Sequence, residues 1–169
     1  MAPVVKRTWA PAGETPKIRH KTRSHKKVSA IGAIAVKYSG RRPRMMFRLL
    51  EGQNANSQVF VQFLTQLLQN IDGNIIVIWD RLVAHRSKIV NQWLEKNSRI
   101  ETEFFPPYAP ELNPVEYLWS YLKMNGLANL AATDLEQLYC ESKKSLCNIR
   151  KSKNIIKSFI NHSPAKFFT

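Results

Sequence analysis

Five consecutive apolar residues that stop at an acid, Ile75-Ile-Val-Ile-Trp-Asp80, constrain this chain more than any other stretch. β-Branched side chains lose rotamer freedom in a helix and pack well on a pleated surface. The run is of strand length and follows the turn signal Asp72-Gly73. A strand without polar alternation predicts cover on both faces, as in the helix-linked parallel strands of α/β proteins. The flanking pattern agrees. Residues 28–36 (VSAIGAIAV) read as a buried strand, residues 38–43 as a turn, and residues 44–50 as a second strand closing a hairpin. Asn56-Ser57 caps a helix to about residue 71, with Val59, Phe60, Phe63, Leu64, Leu67 and Leu68 recurring at three and four. A helix over residues 85–97 and an alternating strand over 100–105 come next. Asn113-Pro114 opens a helix with the stripe Val115, Leu118, Trp119 and Leu122. Thr133-Asp134 caps another helix to about residue 151, and a short one covers residues 154–161. The fold class is therefore α/β, with mixed strand directions in one domain over residues 1–169.

Charge narrows the partners. Lys and Arg total 26 against 12 Asp and Glu, a formal net charge of +14 in 169 residues. Such a surplus favours a polyanion, nucleic acid first. A membrane surface is the weaker alternative, because no basic amphipathic helix with a clean apolar face stands out. A basic structural protein has the same composition. The first 50 residues hold 13 of the basic residues and one acid, Glu14. Lys21, Arg23, Lys26 and Lys27 form a basic run there that suits DNA backbone contact, against the alternative of a solvated face. Cys140 and Cys147 lack zinc-like spacing and read as small apolar residues of a reduced, cytoplasmic protein. No apolar run is long enough to span a bilayer, and no leader peptide is evident.

Two acids stand out by position. Asp80 ends the apolar strand, where α/β sheets gather their ligands. Glu116 sits in the first turn of a helix after a proline-rich loop, with 35 residues between the two acids. One helix and one strand fit between them, a crossover that returns the helix start to the strand end. Two carboxylates so placed hold hard divalent cations, and a metal pair activates the nucleophile and stabilises the leaving oxygen in phosphodiester transfer. The plainer readings are a turn residue for Asp80 and a capping-box position for Glu116, three after Asn113. His85 orients Asp80, contacts DNA phosphate or caps its helix. Arg81 and Arg86 are further candidates for phosphate contact.

Residues 107–123 (PYAPELNPVEYLWSYLK) closely resemble the third catalytic motif of mariner-like transposases of bacterial insertion sequences. Residues 75–85 (IIVIWDRLVAH) resemble their second motif, and residues 7–16 (RTWAPAGETP) the loop after their first catalytic strand. The resemblance implies a ribonuclease-H-like mixed sheet with flanking helices and a three-acid site for two Mg²⁺ or Mn²⁺. It implies cutting and rejoining of DNA at inverted repeats by a nucleoid-associated enzyme that works as a dimer. By that resemblance Asp80 is the second acid and Glu116 the third. The first acid belongs on the sheet's central strand, ahead of the tryptophan loop, and only six residues precede Arg7, none acidic. The expectation is thus a catalytic domain without its first strand. Either an upstream transposase half supplies the missing acid, or the chain is an inactive DNA-binding or inhibitory remnant.

Overall fold

The computed structural model describes residues 11–13, 27–37, 43–130, 132 and 134–165. The expected loop around Trp9, most of the turn at residues 38–43, and Lys21, Arg23 and Lys26 lie outside the described residues.

Among the described residues four strands form two separate pairs. β1 (Val28–Ala35) and β2 (Arg44–Glu51) make an antiparallel hairpin in which Ala33 faces Met46 and Gly32 faces Phe47. α1 (Ser57–Asn70) follows, its first turn capped by the Asn56 side chain, which accepts from the Val59 N–H at 3.0 Å. β3 (Ile75–Trp79) and β4 (Ile100–Phe104) run parallel, in a register that sets Trp79 beside Phe104. Arg99 locks this pair to the end of α1, donating to the Ile71 carbonyl at 2.7 Å and the Gly73 carbonyl at 2.8 Å.

Between β3 and β4 the expected single helix is two pieces. A 3₁₀ turn covers Val83–Arg86, and α2 runs over Lys88–Glu95. Ser87 is extended (φ −69°, ψ 152°) and its hydroxyl accepts from the Val90 N–H, so it starts a new helix rather than continuing the old one. After β4 come α3 (Pro114–Tyr121), a π turn over Leu122–Gly126, α4 (Leu135–Lys151) and α5 (Lys153–His162). No described helix is long and apolar enough to cross a membrane.

The hairpin separates two cores. From one face Ile31, Ala33, Met46 and Leu50 join α1, Trp79, Val90 and Ile100. From the other, Ile34, Met45, Phe47 and Leu49 join Leu118, Leu122, Leu146, Ile149, Ile156 and Phe159. Strand alternation produces this division directly, because neighbouring residues point to opposite sides. α3 meets the hairpin at Gly32, where an added Cβ would lie 2.9 Å from two ring carbons of Trp119.

β3 departs from the reading of a strand covered on both faces. Ile75 and Val77 pack on the first core, with Trp79 buried in it, whereas Ile76 and Ile78 are 64% and 41% exposed. One edge of β3 is also without a described neighbouring strand. The Ile75 N–H donates to the Arg99 carbonyl, and the Trp79 carbonyl accepts from the Phe105 N–H, so the odd-numbered residues face β4. The backbone groups of Ile76 and Ile78 therefore point away from it. On β1, the Lys27 carbonyl accepts from the Gly52 N–H, which turns the backbone groups of Ala30, Gly32 and Ile34 away from β2. These two edges line one cavity of about 440 Å³, and no described strand joins them.

Candidate active site

Asp80 is the first residue beyond β3, and its side chain is 61% exposed. One carboxylate oxygen accepts from the Leu82 N–H at 3.0 Å, which makes the turn that the plainer reading expects. The same oxygen lies 2.9 Å from His85 Nδ1, which is also 3.1 Å from the Asp80 carbonyl oxygen. Both partners only accept, so Nδ1 carries the hydrogen.

His85 itself is buried. Its ring stacks on Trp79 at 4.4 Å and 5°, and meets Phe60 edge-on at 4.3 Å. Of the three sequence readings, burial works against DNA phosphate contact and favours orienting Asp80. The aromatic clamp fixes the ring, and the ring fixes the carboxylate.

Glu116 is exposed in the first turn of α3. The capping-box reading fails on hydrogen bonds. Asn113 accepts from the Val115 N–H at 3.0 Å through its side chain, while its own N–H donates to the Pro110 carbonyl at 3.0 Å. The N–H that a capping glutamate would take is already used. Glu116 instead lines the cavities beside Asp80.

The two acids line the same pair of cavities. One is the cavity between β1 and β3, which also receives Pro114, Val115 and Trp119 from α3. The other, of about 410 Å³, lies under residues 106–110 and also receives Arg81, Phe105 and Asn113. At its rim Tyr108 is fully exposed and holds φ 57°, a left-handed conformation rare for a residue with a Cβ. The sequence carries no signal for that conformation beyond its three flanking prolines. The crossover anticipated from spacing does bring the strand end and the helix start together. Asp80 and Glu116 supply hard, solvent-facing oxygen donors of the kind Mg²⁺ and Mn²⁺ prefer. Among the described residues no cluster of three or more potential metal-ligating side chains forms.

The basic candidates are placed unevenly. Arg81 lines the second cavity and is held there, its Nε donating to the Phe105 carbonyl at 3.3 Å and its guanidinium 6.0 Å from the Phe104 ring. Arg86 is exposed at the end of the 3₁₀ turn. Lys27 is exposed immediately before β1, the described member of the N-terminal basic run.

Residues 1–139 match the family model of the DDE superfamily endonucleases. The chain belongs to this family. Among curated proteins, the DDE domain is 28% identical over 89 residues to the uncharacterized 39 kDa protein of insertion element IS630 from Shigella sonnei, covering 52% of this chain and 26% of that one. It is 27% identical over 85 residues to the uncharacterized protein y4pE/y4sA of Sinorhizobium fredii, covering 49% and 60%. The matched stretch thus spans less than two thirds of either relative. Among solved structures, the Mos1 mariner paired-end complex with Mn superposes with a TM-score of 0.65 at 19% identity, over 99% of this chain and 50% of that chain. The catalytic domain of Mos1 mariner transposase superposes at 0.56 and 18% identity, over 83% and 78%. The fold is therefore ribonuclease-H-like, with small sheets and flanking helices.

Proposed function

We propose that this DDE domain is the metal-dependent catalytic part of an insertion-sequence transposase, cutting and rejoining DNA at inverted-repeat ends in the nucleoid. The observation that carries the reading is the meeting of Asp80 and Glu116 on two shared cavities at the carboxyl end of a parallel strand. In this reading the two carboxylates hold Mg²⁺ or Mn²⁺, a pair of which supplies an activated nucleophile and stabilisation of the leaving oxygen. His85 keeps Asp80 aimed, and Asn113 sets the start of the helix that presents Glu116. Arg81, Arg86 and Lys27, with Lys21, Arg23 and Lys26 of the same basic run, bind backbone phosphate and hold the strand over the acids.

The third carboxylate enters on an extended segment that pairs with the open edges of β1 and β3. This segment comes from an upstream half of the transposase. The outward-turned backbone groups of Ala30, Gly32, Ile34, Ile76 and Ile78 and the apolar walls between them support that placement. The test supplies that segment on a second polypeptide and measures divalent-dependent cleavage of an inverted-repeat duplex. Asp80→Asn and Glu116→Gln each abolish cleavage and leave metal-free DNA binding intact. Cleavage undiminished in either variant removes the catalytic assignment.

A further inference from the structure

The last acid in the chain is Glu141, and the 28 residues after it carry seven Lys and Arg. Six of these seven, Lys143, Lys144, Arg150, Lys151, Lys153 and Lys157, are exposed on α4 and α5. Their spacing places them together. Lys143 with Arg150 and Lys144 with Lys151 are seven apart, two helical turns, so the four occupy an arc of roughly 120° at 3.6 residues per turn. That arc lies on the solvent side, away from buried Ser142, Leu146 and Ile149. A single residue, Ser152, separates Lys151 from Lys153, and Lys157 follows one turn later.

A merely solvated face fits these residues poorly. Among the described residues the single ion pair on it joins Lys144 to the half-exposed Glu141 at 3.9 Å, a separation and exposure that contribute little. Lys143 beside Lys144, and Arg150 beside Lys151, are sequence neighbours on the arc, so their like charges repel one another and salt screens that repulsion only in part. Lys153 occupies the first turn of α5, where a helix favours acids. The arrangement costs stability and creates a stripe of positive potential. Arg150 is meanwhile fixed, its guanidinium 5.5 Å above the Phe47 ring. α5 packs on α3, the helix that presents Glu116, with Tyr117 and His162 in ring contact. α5 thus lies about one helix diameter, 10–12 Å, from the helix that presents Glu116.

We propose that this face of α4 and α5 is a second DNA seat, separate from the acids, which takes the phosphate backbone of duplex DNA without reading its sequence. It rests on the reading above only for the identity of the polyanion. A second phosphate seat steadies a long substrate while the acids act on one bond of it, and it binds in the absence of divalent metal.

The test is fluorescence anisotropy of a labelled 30-base-pair duplex across a KCl series without divalent cations. Lys143→Gln/Lys144→Gln/Lys151→Gln/Lys153→Gln is compared with the wild-type chain and with Lys88→Gln/Lys96→Gln, two exposed lysines of the α2 region. Each phosphate contact contributes about 0.9 to the slope of log affinity against log salt, so the quadruple variant loses about three to four and the control less than one. A loss below one in the quadruple variant, or an equal loss per charge in the control, overturns the proposal. A second measurement uses the wild-type chain alone. Cys140 is exposed on the same arc, and bound duplex slows its alkylation by maleimide severalfold. An unchanged rate at saturating duplex also overturns it. Because neither readout needs metal or cleavage, loss of the catalytic reading leaves the outcome interpretable.

Discussion

Gly32→Ala tests how α3 is held against the hairpin. Gly32 is not at positive φ, so alanine suits its backbone and restricts the unfolded chain, which by itself stabilises by about 0.4–1 kcal/mol. Opposing this, the new methyl lies 2.9 Å from both Cη2 and Cζ2 of Trp119 and 3.5 Å from a Leu118 methyl. Carbon contacts are optimal at about 3.5–4.0 Å, so the indole must retreat by at least about half an ångström. Leu118, fully buried beneath it, leaves little room. Overpacking of this kind costs about 1–3 kcal/mol, and it outweighs the backbone gain. The expected net loss is about 1–2 kcal/mol, or a Tm lower by about 2–8 °C for a chain of this size. Thermal unfolding followed by far-UV circular dichroism measures it. Trp119→Phe in the same background removes the clashing ring atoms, so the two changes together cost less than their sum. An unchanged or raised Tm for Gly32→Ala, or strict additivity with Trp119→Phe, would falsify the packing argument.

Two further substitutions probe the site's supports. His85→Phe keeps an aromatic ring between Trp79 and Phe60 but removes the nitrogen that touches Asp80. The Tm stays within a few degrees, while Mn²⁺ affinity measured by titration calorimetry falls about tenfold or more, as for other groups that orient metal ligands. An unaltered affinity would mean that His85 only packs. Asn113→Ala removes the cap of α3 and costs about 1 kcal/mol, seen as a Tm drop of about 2–4 °C, whereas Asn113→Asp retains stability. Equal losses in both would place the effect elsewhere than the cap.

Strand positions and the crossover joining Asp80 to Glu116 were legible because apolar runs and turn residues mark them locally. The caps at Asn56, Asn113 and Asp134 were legible for the same reason. The break at Ser87 was signalled only by a good N-cap residue inside a periodic stretch, and periodicity alone ran through it. The π turn at Leu122–Gly126 was not legible. It depends on α4 approaching so closely that a Cβ on Gly126 would lie 2.7 Å from Ser145, a tertiary demand with no local pattern. Nor did composition show that Ile76 and Ile78 stay exposed, since apolarity states what a face prefers to touch and not whether a partner is present. The role of His85 was open in the sequence because its surroundings, Phe60 and Trp79, come from different elements.

The hairpin that divides the interior has a consequence for the acids. Asp80 is anchored through Trp79 and His85 to the core shared with α1, whereas Glu116 rides on α3 and belongs to the core built with α4 and α5. The two cores are potential cooperative units with their own opening free energies. If α3–α5 loosen while the first unit stays closed, the carboxylates part although most native hydrogen bonds persist. Site integrity is then governed by the weaker of two local equilibria, and amide exchange in α4 and α5 reports on it before global unfolding does.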